Sequence, residues 1–182
     1  ATMSVTQHNS FSNILATGSN QITLSDAGTV TGKSVVDTYV LADGGGTTFT
    51  LGADAQNVTT GNGADIVDVG TRTATGTFTT VAADTIKLGN GADVKGVDSG
   101  AGGGGAFTAN TLELASGASV TMTAAQNNSF TSATAAGTET IAISDANDAT
   151  GLATIETYTL AAGTQTFTLG ATGQNVTADS TG

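Results

Sequence analysis

Apolar and small polar residues alternate along most of this chain. Residues 48–51 (TFTL), 120–123 (VTMT) and 157–160 (TYTL) each place every second side chain on one face. This period of two is typical of a strand with one buried face. The sequence therefore predicts many short strands, with helix limited to one short turn at residues 10–16 or 124–130.

Large apolar residues recur along the chain at steps of about eight to twelve residues, which leaves room for one strand and one corner per step. A β-solenoid and a β-sandwich both have this spacing. The 26 glycines, the lack of proline and the few aromatic residues favour an all-β solenoid array (β-roll or β-helix-like), with β-sandwich repeats as the alternative. The strand anchors are Phe49, Val58, Ile66, Phe78, Ile86, Val94, Leu112, Val120, Phe130 and Ile141, and the core anchors are Tyr39, Phe49, Tyr158 and Phe167.

The chain contains a long internal repeat. Residues 1–63 align with residues 120–182 at a shift of about 119, for example TFTLGADAQNVT with TFTLGATGQNVT. Repeats of this kind stack into elongated arrays with a thin core. We predict a first repeat module at 1–63, a linking segment at 64–119 with a glycine-rich loop at 100–106, and a second module at 120–182. Because the pattern starts and stops within a unit, the chain is expected to be a section of a tandem array.

Charge and composition exclude several classes of partner. The chain has 182 residues with 15 acidic and four basic side chains, a net charge of −11 and no cysteine. Nucleic acid and anionic membrane surfaces would repel such a chain. No stretch is apolar enough to cross a membrane, and the first residues lack the pattern of a signal peptide. Cations are the natural partners of so many carboxylates.

Two similar turns, GNGAD at residues 61–65 and 89–93, combine glycines with an aspartate ahead of an alternating segment. Glycine allows the backbone angles of a tight turn, and inward carbonyls with a carboxylate suit a hard divalent cation. An aspartate that accepts hydrogen bonds from turn amides, without any metal, is the alternative. The candidate calcium ligands are Gly61, Asn62, Gly63, Asp65, Asp84, Gly89, Asn90, Gly91 and Asp93. Possible additional ligands are Asp54, Asp68 and Asp98.

The segment GNGADIV resembles the calcium-binding nonapeptide G-G-x-G-x-D-x-U-x of the RTX (repeats-in-toxin) β-roll proteins. Thr60 and Leu88 stand where the first glycine belongs, and Lys95 replaces the large apolar residue of the second copy. The segment around Asp84 lies nine residues ahead of Asp93, a spacing that would make the two a degenerate tandem pair. The resemblance implies bound calcium, export by type I secretion and an extracellular or cell-surface location.

The expected function is that of a secreted structural repeat protein. Stacked repeats stabilised by calcium would self-assemble into a surface layer, a filament or an adhesin stalk, with neighbouring repeats or subunits as partners. Outward threonine pairs, as at residues 48–50 and 157–159, also resemble the surface of ice-binding solenoids. An ice- or polysaccharide-binding module, the latter with cell-surface polysaccharide as a partner, is therefore the alternative. A carbohydrate-active β-helix enzyme is the third alternative. It ranks below the others because the single histidine, His8, aligns with Asn127, and no group of catalytic residues is repeated in the two modules.

Overall fold

The computed structural model of the protein is a β-solenoid of about nine turns, with 7% helix and parallel sheets stacked along one axis. It describes residues 1–81, 83–97, 106–109 and 111–179. The predicted all-β solenoid is thereby confirmed. The parallel pairing of all the described strands differs from the hairpins of the alternative β-sandwich.

The described residues contain short strands and two short helices. In chain order these elements are β1 (Thr2–Met3), α1 (Val5–Ser10), β2 (Gln21–Leu24), β3 (Thr29–Thr31), β4 (Thr38–Val40), β5 (Thr48–Thr50), β6 (Asn57–Thr59), β7 (Ile66–Gly70), β8 (Phe78–Thr79), β9 (Thr85–Leu88), β10 (Thr111–Leu114), β11 (Ser119–Met122), α2 (Ala124–Ser129), β12 (Ser132–Thr134), β13 (Thr140–Ile143), β14 (Ala149–Thr150), β15 (Thr157–Leu160), β16 (Phe167–Thr168) and β17 (Asn175–Ala178).

The strands stack in three columns, which form the faces of the solenoid. Column 1 has the order β1-β2-β4-β6-β8, column 2 the order β3-β5-β7-β9-β10-β12, and column 3 the order β11-β13-β15-β17. Column 3 continues toward earlier turns through parallel bridges from Thr121 to Asp93 and from Asp93 to Thr73. The pair β14-β16 forms a separate two-stranded sheet beside α2, whose Asn127 side chain donates to the carbonyl of Thr150 at 2.8 Å.

One apolar core runs through the stack, from Ile22 to Leu160. Inward side chains of successive strands lie directly above one another, as Phe49 does below Val67. Tyr39, Phe49 and Tyr158 are fully buried as predicted, whereas Phe167 is only partly buried because it lies in the last described turns. The prediction for Ile66 is wrong. Val67 and Val69 point inward, and Ile66 lies at the outer surface in register with Thr48.

Each helix begins with a capping box. Ser4 and Gln7 form the capping box of α1, and Thr123 and Gln126 form that of α2. In each box the hydroxyl group of the cap residue accepts a hydrogen bond from the third backbone amide of the helix. The glutamine side chain accepts one from the backbone amide of the cap residue. This arrangement satisfies donors that a short helix otherwise leaves exposed. The helix predicted at 124–130 is confirmed within one residue. The one predicted at 10–16 is wrong, because α1 occupies Val5–Ser10, the position equivalent to α2.

The repeat found in the sequence recurs in the fold, but on a different face. The order β1-α1-β2-β3-β4-β5-β6 is matched by β11-α2-β13-β14-β15-β16-β17, with the extra strand β12 after α2. The first set of edge strands lies in column 1 and the equivalent set in column 3. The second module is therefore rotated by one face of the solenoid relative to the first.

The strands between the two modules stack in the same columns as those of the modules. In the glycine-rich loop predicted at 100–106, residues 100–105 lie outside the described residues. Among the described residues, no helix has the length and apolar character needed to cross a membrane.

Candidate functional site

The first GNGAD turn is a corner closed by a buried carboxylate. Gly61 has no room for a side chain, since a Cβ there would lie 2.3 Å from the carbonyl oxygen of Ala42 in the turn below. Asp65 follows the turn and is fully buried. Its Oδ1 accepts a hydrogen bond from the amide of Thr47 at 2.6 Å, and its Oδ2 accepts one from the amide of Gly61 at 3.1 Å. The carboxylate thus joins two successive turns of the solenoid.

Asp84 occupies the equivalent position one turn further along and is also fully buried. Its Oδ1 accepts from the amide of Asp65 at 3.0 Å. Its Oδ2 accepts from the amide of Val81 at 2.7 Å and from the hydroxyl of Thr60 at 2.6 Å. Asp65 and Asp84 therefore form a ladder of two stacked carboxylates along one corner. The structure pairs Asp84 with Asp65, and not with Asp93 as the tandem spacing predicted.

The Asp65 carboxyl lies in an environment that disfavours its charge. Burial raises the pKa of Asp65, and the nearby Asp84 and Asp43 carboxylates raise it further, whereas the hydrogen bonds from Thr47 and Gly61 lower it. An ionised carboxylate has about four acceptor positions. Asp65 uses two and Asp84 uses three on protein donors, which leaves about two and one respectively. The ladder thus retains acceptor capacity, although protein donors already satisfy most of it.

The second GNGAD turn has a different electrostatic balance. Gly91 adopts a φ of 84°, which accounts for glycine at that position. Asp93 accepts a hydrogen bond from the amide of Lys95 at 3.0 Å, and the Lys95 ammonium group contacts its other oxygen. The side chain of Asn90 accepts from the amide of Ser119. Here a lysine occupies the position that a cation would take beside the carboxylate.

The two turns do not form one site. Asp65 and Asp84 lie at the entrance to column 2, whereas Asp93 lies in column 3. Asn62 of the first turn donates from its backbone amide and its side chain to Asp43 Oδ1, at 2.8 and 3.2 Å. Sequence reasoning missed Asp43 as a partner of this turn. The signal was available, because Asp43 lies one solenoid turn ahead of Asn62 and follows the buried Leu41–Ala42 pair.

The additional predicted ligands lie apart from this ladder. Asp54 forms an exposed ion pair with Arg72 at 3.4 Å, and Asp68 accepts from the amide of Gly70 at 2.9 Å. Asp98 lies outside the described residues. In the parts of the chain that the structure describes, no three histidine, cysteine, aspartate or glutamate side chains are grouped as metal ligands. Calcium binding at these turns stays a prediction.

Comparison of the chain with protein-family models, with curated protein sequences and with solved structures gives no match. The similarity to RTX proteins therefore rests on the residues of the GNGAD turns. The fold supports its coarser part, since a parallel solenoid of about nine turns is compatible with a β-roll repeat.

Proposed function

We propose that this chain is a section of an extracellular structural array, a solenoid rod that builds a surface layer, a filament or an adhesin stalk by self-assembly. The observation that carries the proposal is the single apolar core that extends from Ile22 to Leu160 through stacked parallel strands. A rod of this kind satisfies its backbone hydrogen bonds along the axis and extends by adding similar turns.

The described side chains offer little for catalysis or for sugar binding. The only histidine, His8, is buried, and both of its ring nitrogens lie within hydrogen-bond distance of a partner, Asn9 or Tyr39. Most of the aromatic rings lie in the core rather than along an open groove. These features support a structural role over an enzymatic or polysaccharide-binding one.

The outward threonine rows are interrupted. In column 2, one row contains Ile66 between threonines, and the next contains the charged series Asp68, Lys87 and Glu113. A regular lattice of hydroxyl groups would favour ice binding. The mixed rows favour an ordinary solvent-exposed strand face instead.

Calcium is a separable part of the proposal. The remaining acceptor positions on Asp65 and Asp84, together with the nearby Asp43, make this corner the best candidate for a bound cation. Extracellular calcium modules typically have dissociation constants of about 10⁻⁴–10⁻³ M. At a calcium concentration about tenfold above that constant, one site would add about 1.4 kcal/mol to the free energy of unfolding.

The experiment that tests both parts is thermal unfolding of the full chain with calcium or with a chelator, combined with light scattering. We expect a concentration-dependent increase in particle size and a higher melting temperature with calcium. If the chain assembles but melts at the same temperature with calcium and with the chelator, calcium binding is refuted and the structural role stands. A chain that stays monomeric at high concentration under both conditions would overturn the structural role.

A further inference from the structure

The corner that leads into column 3 contains a carboxylate that is fully buried, that of Glu139 just before β13. Its Oε1 accepts hydrogen bonds from the backbone amides of Gly117 at 3.1 Å and Ala136 at 3.3 Å. Its Oε2 is buried and has no hydrogen-bond partner among the described residues. A buried charged oxygen is strongly unfavourable unless a donor or a cation faces it.

A second carboxylate lies at the same corner, one turn further along. Glu156 precedes β15, and its Oε2 accepts a hydrogen bond from the backbone amide of Glu139 at 3.1 Å. Glu156 is only partly buried, so water reaches this corner. The corner lies inside the stack, with β11 on one side of β13 and with β15 and β17 on the other. Two acidic side chains thus meet within the body of the rod.

The first module solves the same position differently. Asn20 and Asp37 are the equivalents of Glu139 and Glu156, and Asp37 Oδ2 accepts from both the backbone amide and the side-chain amide of Asn20, at 2.9 and 3.0 Å. The Asn20 side-chain oxygen also lacks a partner, but an amide carries no net charge. In the second module a carboxylate replaces this amide, which removes a donor and adds a negative charge.

The chain provides no basic side chain for this corner. Residues 120–182 contain no lysine, arginine or histidine, and their acidic residues are Glu139, Asp145, Asp148, Glu156 and Asp179. Elsewhere, Arg72, Lys87 and Lys95 form ion pairs with Asp54, Glu113 and Asp93, and the Lys33 ammonium group donates to the carbonyl of Phe11. A cation that neutralises Glu139 and Glu156 therefore has to come from solution.

We infer that Glu139 and Glu156 bind a hard divalent cation, Ca²⁺ or Mg²⁺, at this corner. The site is additional to the calcium site proposed at Asp65 and Asp84 and lies at a different corner, so either can bind without the other. Carboxylate oxygens are preferred ligands of such ions, and an ion held by two carboxylates completes its shell with water. The partly exposed Glu156 gives water that access.

Titration calorimetry of the full chain with calcium chloride and with magnesium chloride tests this site through Glu139→Gln. Glutamine keeps an oxygen for the amides of Gly117 and Ala136 and provides a side-chain amide like that of Asn20. We expect the variant to bind one divalent ion fewer per chain than the wild type. Glu113→Gln removes the same charge from the exposed pair with Lys87 and should bind ions like the wild type.

Thermal unfolding shows whether the ion explains the buried carboxylate. In chelator, Glu139→Gln should melt at the same temperature as the wild type or higher, because it no longer buries a charge. Saturating divalent ion should raise the melting temperature of the wild type more than that of the variant. A variant that melts below the wild type in chelator would overturn the inference, because the carboxylate would then stabilise the corner without an ion.

Two further results would separate this site from the one at Asp65. If Glu139→Gln binds as many ions as the wild type while Asp65→Asn binds fewer, the inference is overturned and the proposed calcium site stands. Equal binding by the wild type and Glu139→Gln is also the result expected if a proton, and not a metal ion, neutralises Glu139. A wild type that binds no divalent ion would overturn both cation sites and leave the structural role in place.

Discussion

The phenol oxygen of Tyr39 lies 3.0 Å from Nε2 of His8, and both side chains are fully buried. The same oxygen accepts a hydrogen bond from the amide of Lys33 at 2.8 Å. Asn9 Oδ1, which can only accept, lies 3.3 Å from Nδ1 of His8, so Nδ1 carries the ring proton and Nε2 accepts the phenol proton, which it can do only while the histidine is neutral. This pair connects α1 to the core of column 1.

Acidification should destabilise the protein through His8. Burial lowers the pKa of His8 below its ordinary value of 6.5, the Asn9 hydrogen bond partly offsets this effect, and the Lys33 charge lowers the pKa further. The unfolded chain then binds a proton more readily than the folded one, so this contribution is complete above pH 6.5 and is lost as the pH falls toward the folded pKa. Denaturant unfolding between pH 8 and 5 measures it.

His8→Asn is the control, because Asn127 occupies the equivalent position in the second module. The free energy of unfolding of this variant should depend less on pH than that of the wild type. Parallel curves for the two proteins would contradict the role of His8, since the carboxylates titrate in both.

Gln56 should contribute strongly to stability. Its side chain accepts from the amides of Gly52 and Ala53 and donates to the carbonyls of Lys33 and Val36. Replacement by leucine leaves these groups without their partner, at about 1–3 kcal/mol for each one that stays buried. We expect Gln56→Leu to lower the free energy of unfolding by about 3 kcal/mol.

The matched control is Gln174, which makes the same four hydrogen bonds in the second module. The Gln174 side chain is only partly buried, so water can form hydrogen bonds with some of the backbone groups that lose their partner. Gln174→Leu should cost about 1 kcal/mol. Equal losses at the two positions would show that burial does not determine the cost.

Gly52 should tolerate no side chain. A Cβ at this position would lie 1.9 Å from the carbonyl oxygen of Gly32 in the turn below, so the two backbones would have to separate. We expect Gly52→Ala to cost about 3 kcal/mol or more in chemical denaturation. At Gly28, a Cβ would contact the Val5 side chain at 3.0 Å, and that side chain can move. A Gly28→Ala variant as unstable as Gly52→Ala would argue against backbone contact as the cause.

Lys87 should balance two acidic neighbours on the outer surface of column 2. It lies in register between Asp68 and Glu113, and its ammonium group is 3.0 Å from the Glu113 carboxylate. Lys87→Met should cost no more than about 1 kcal/mol, because the pair is substantially exposed. Lys87→Glu should cost about 1 kcal/mol more, since it aligns three like charges. The difference between the variants should shrink in 1 M salt, and a salt-independent difference would assign it to packing instead.

The sequence allowed the solenoid, its stacking of like layers and the internal repeat to be predicted, because these follow from strand alternation and self-similarity. Which residues of a strand face the core could not be predicted from alternation alone. Ile66 and Val67 are adjacent apolar residues, and only the contact of Val67 with Phe49 in the neighbouring strand decides which one faces inward. The candidate site could likewise be predicted only in part. Asp65 was recognisable as a turn aspartate, but its alignment with Asp84 depends on the length of the intervening turn.

The position of α1 could have been read from the sequence. Ser4 and Gln7 have the spacing of a capping box, as do Thr123 and Gln126, and this spacing marks where each helix begins. The internal repeat aligns residues 5–10 with residues 124–129, so it places the two helices at equivalent positions.

The rotation of the second module by one face determines how neighbouring rods can pack side by side. With three columns, a longer chain made of such units would present its helix toward the same side only at every third unit. Features attached to the helices would then follow a spiral path around the axis. Flat lateral packing would have to use surfaces common to every face, while contacts through the helices would produce bundles that twist.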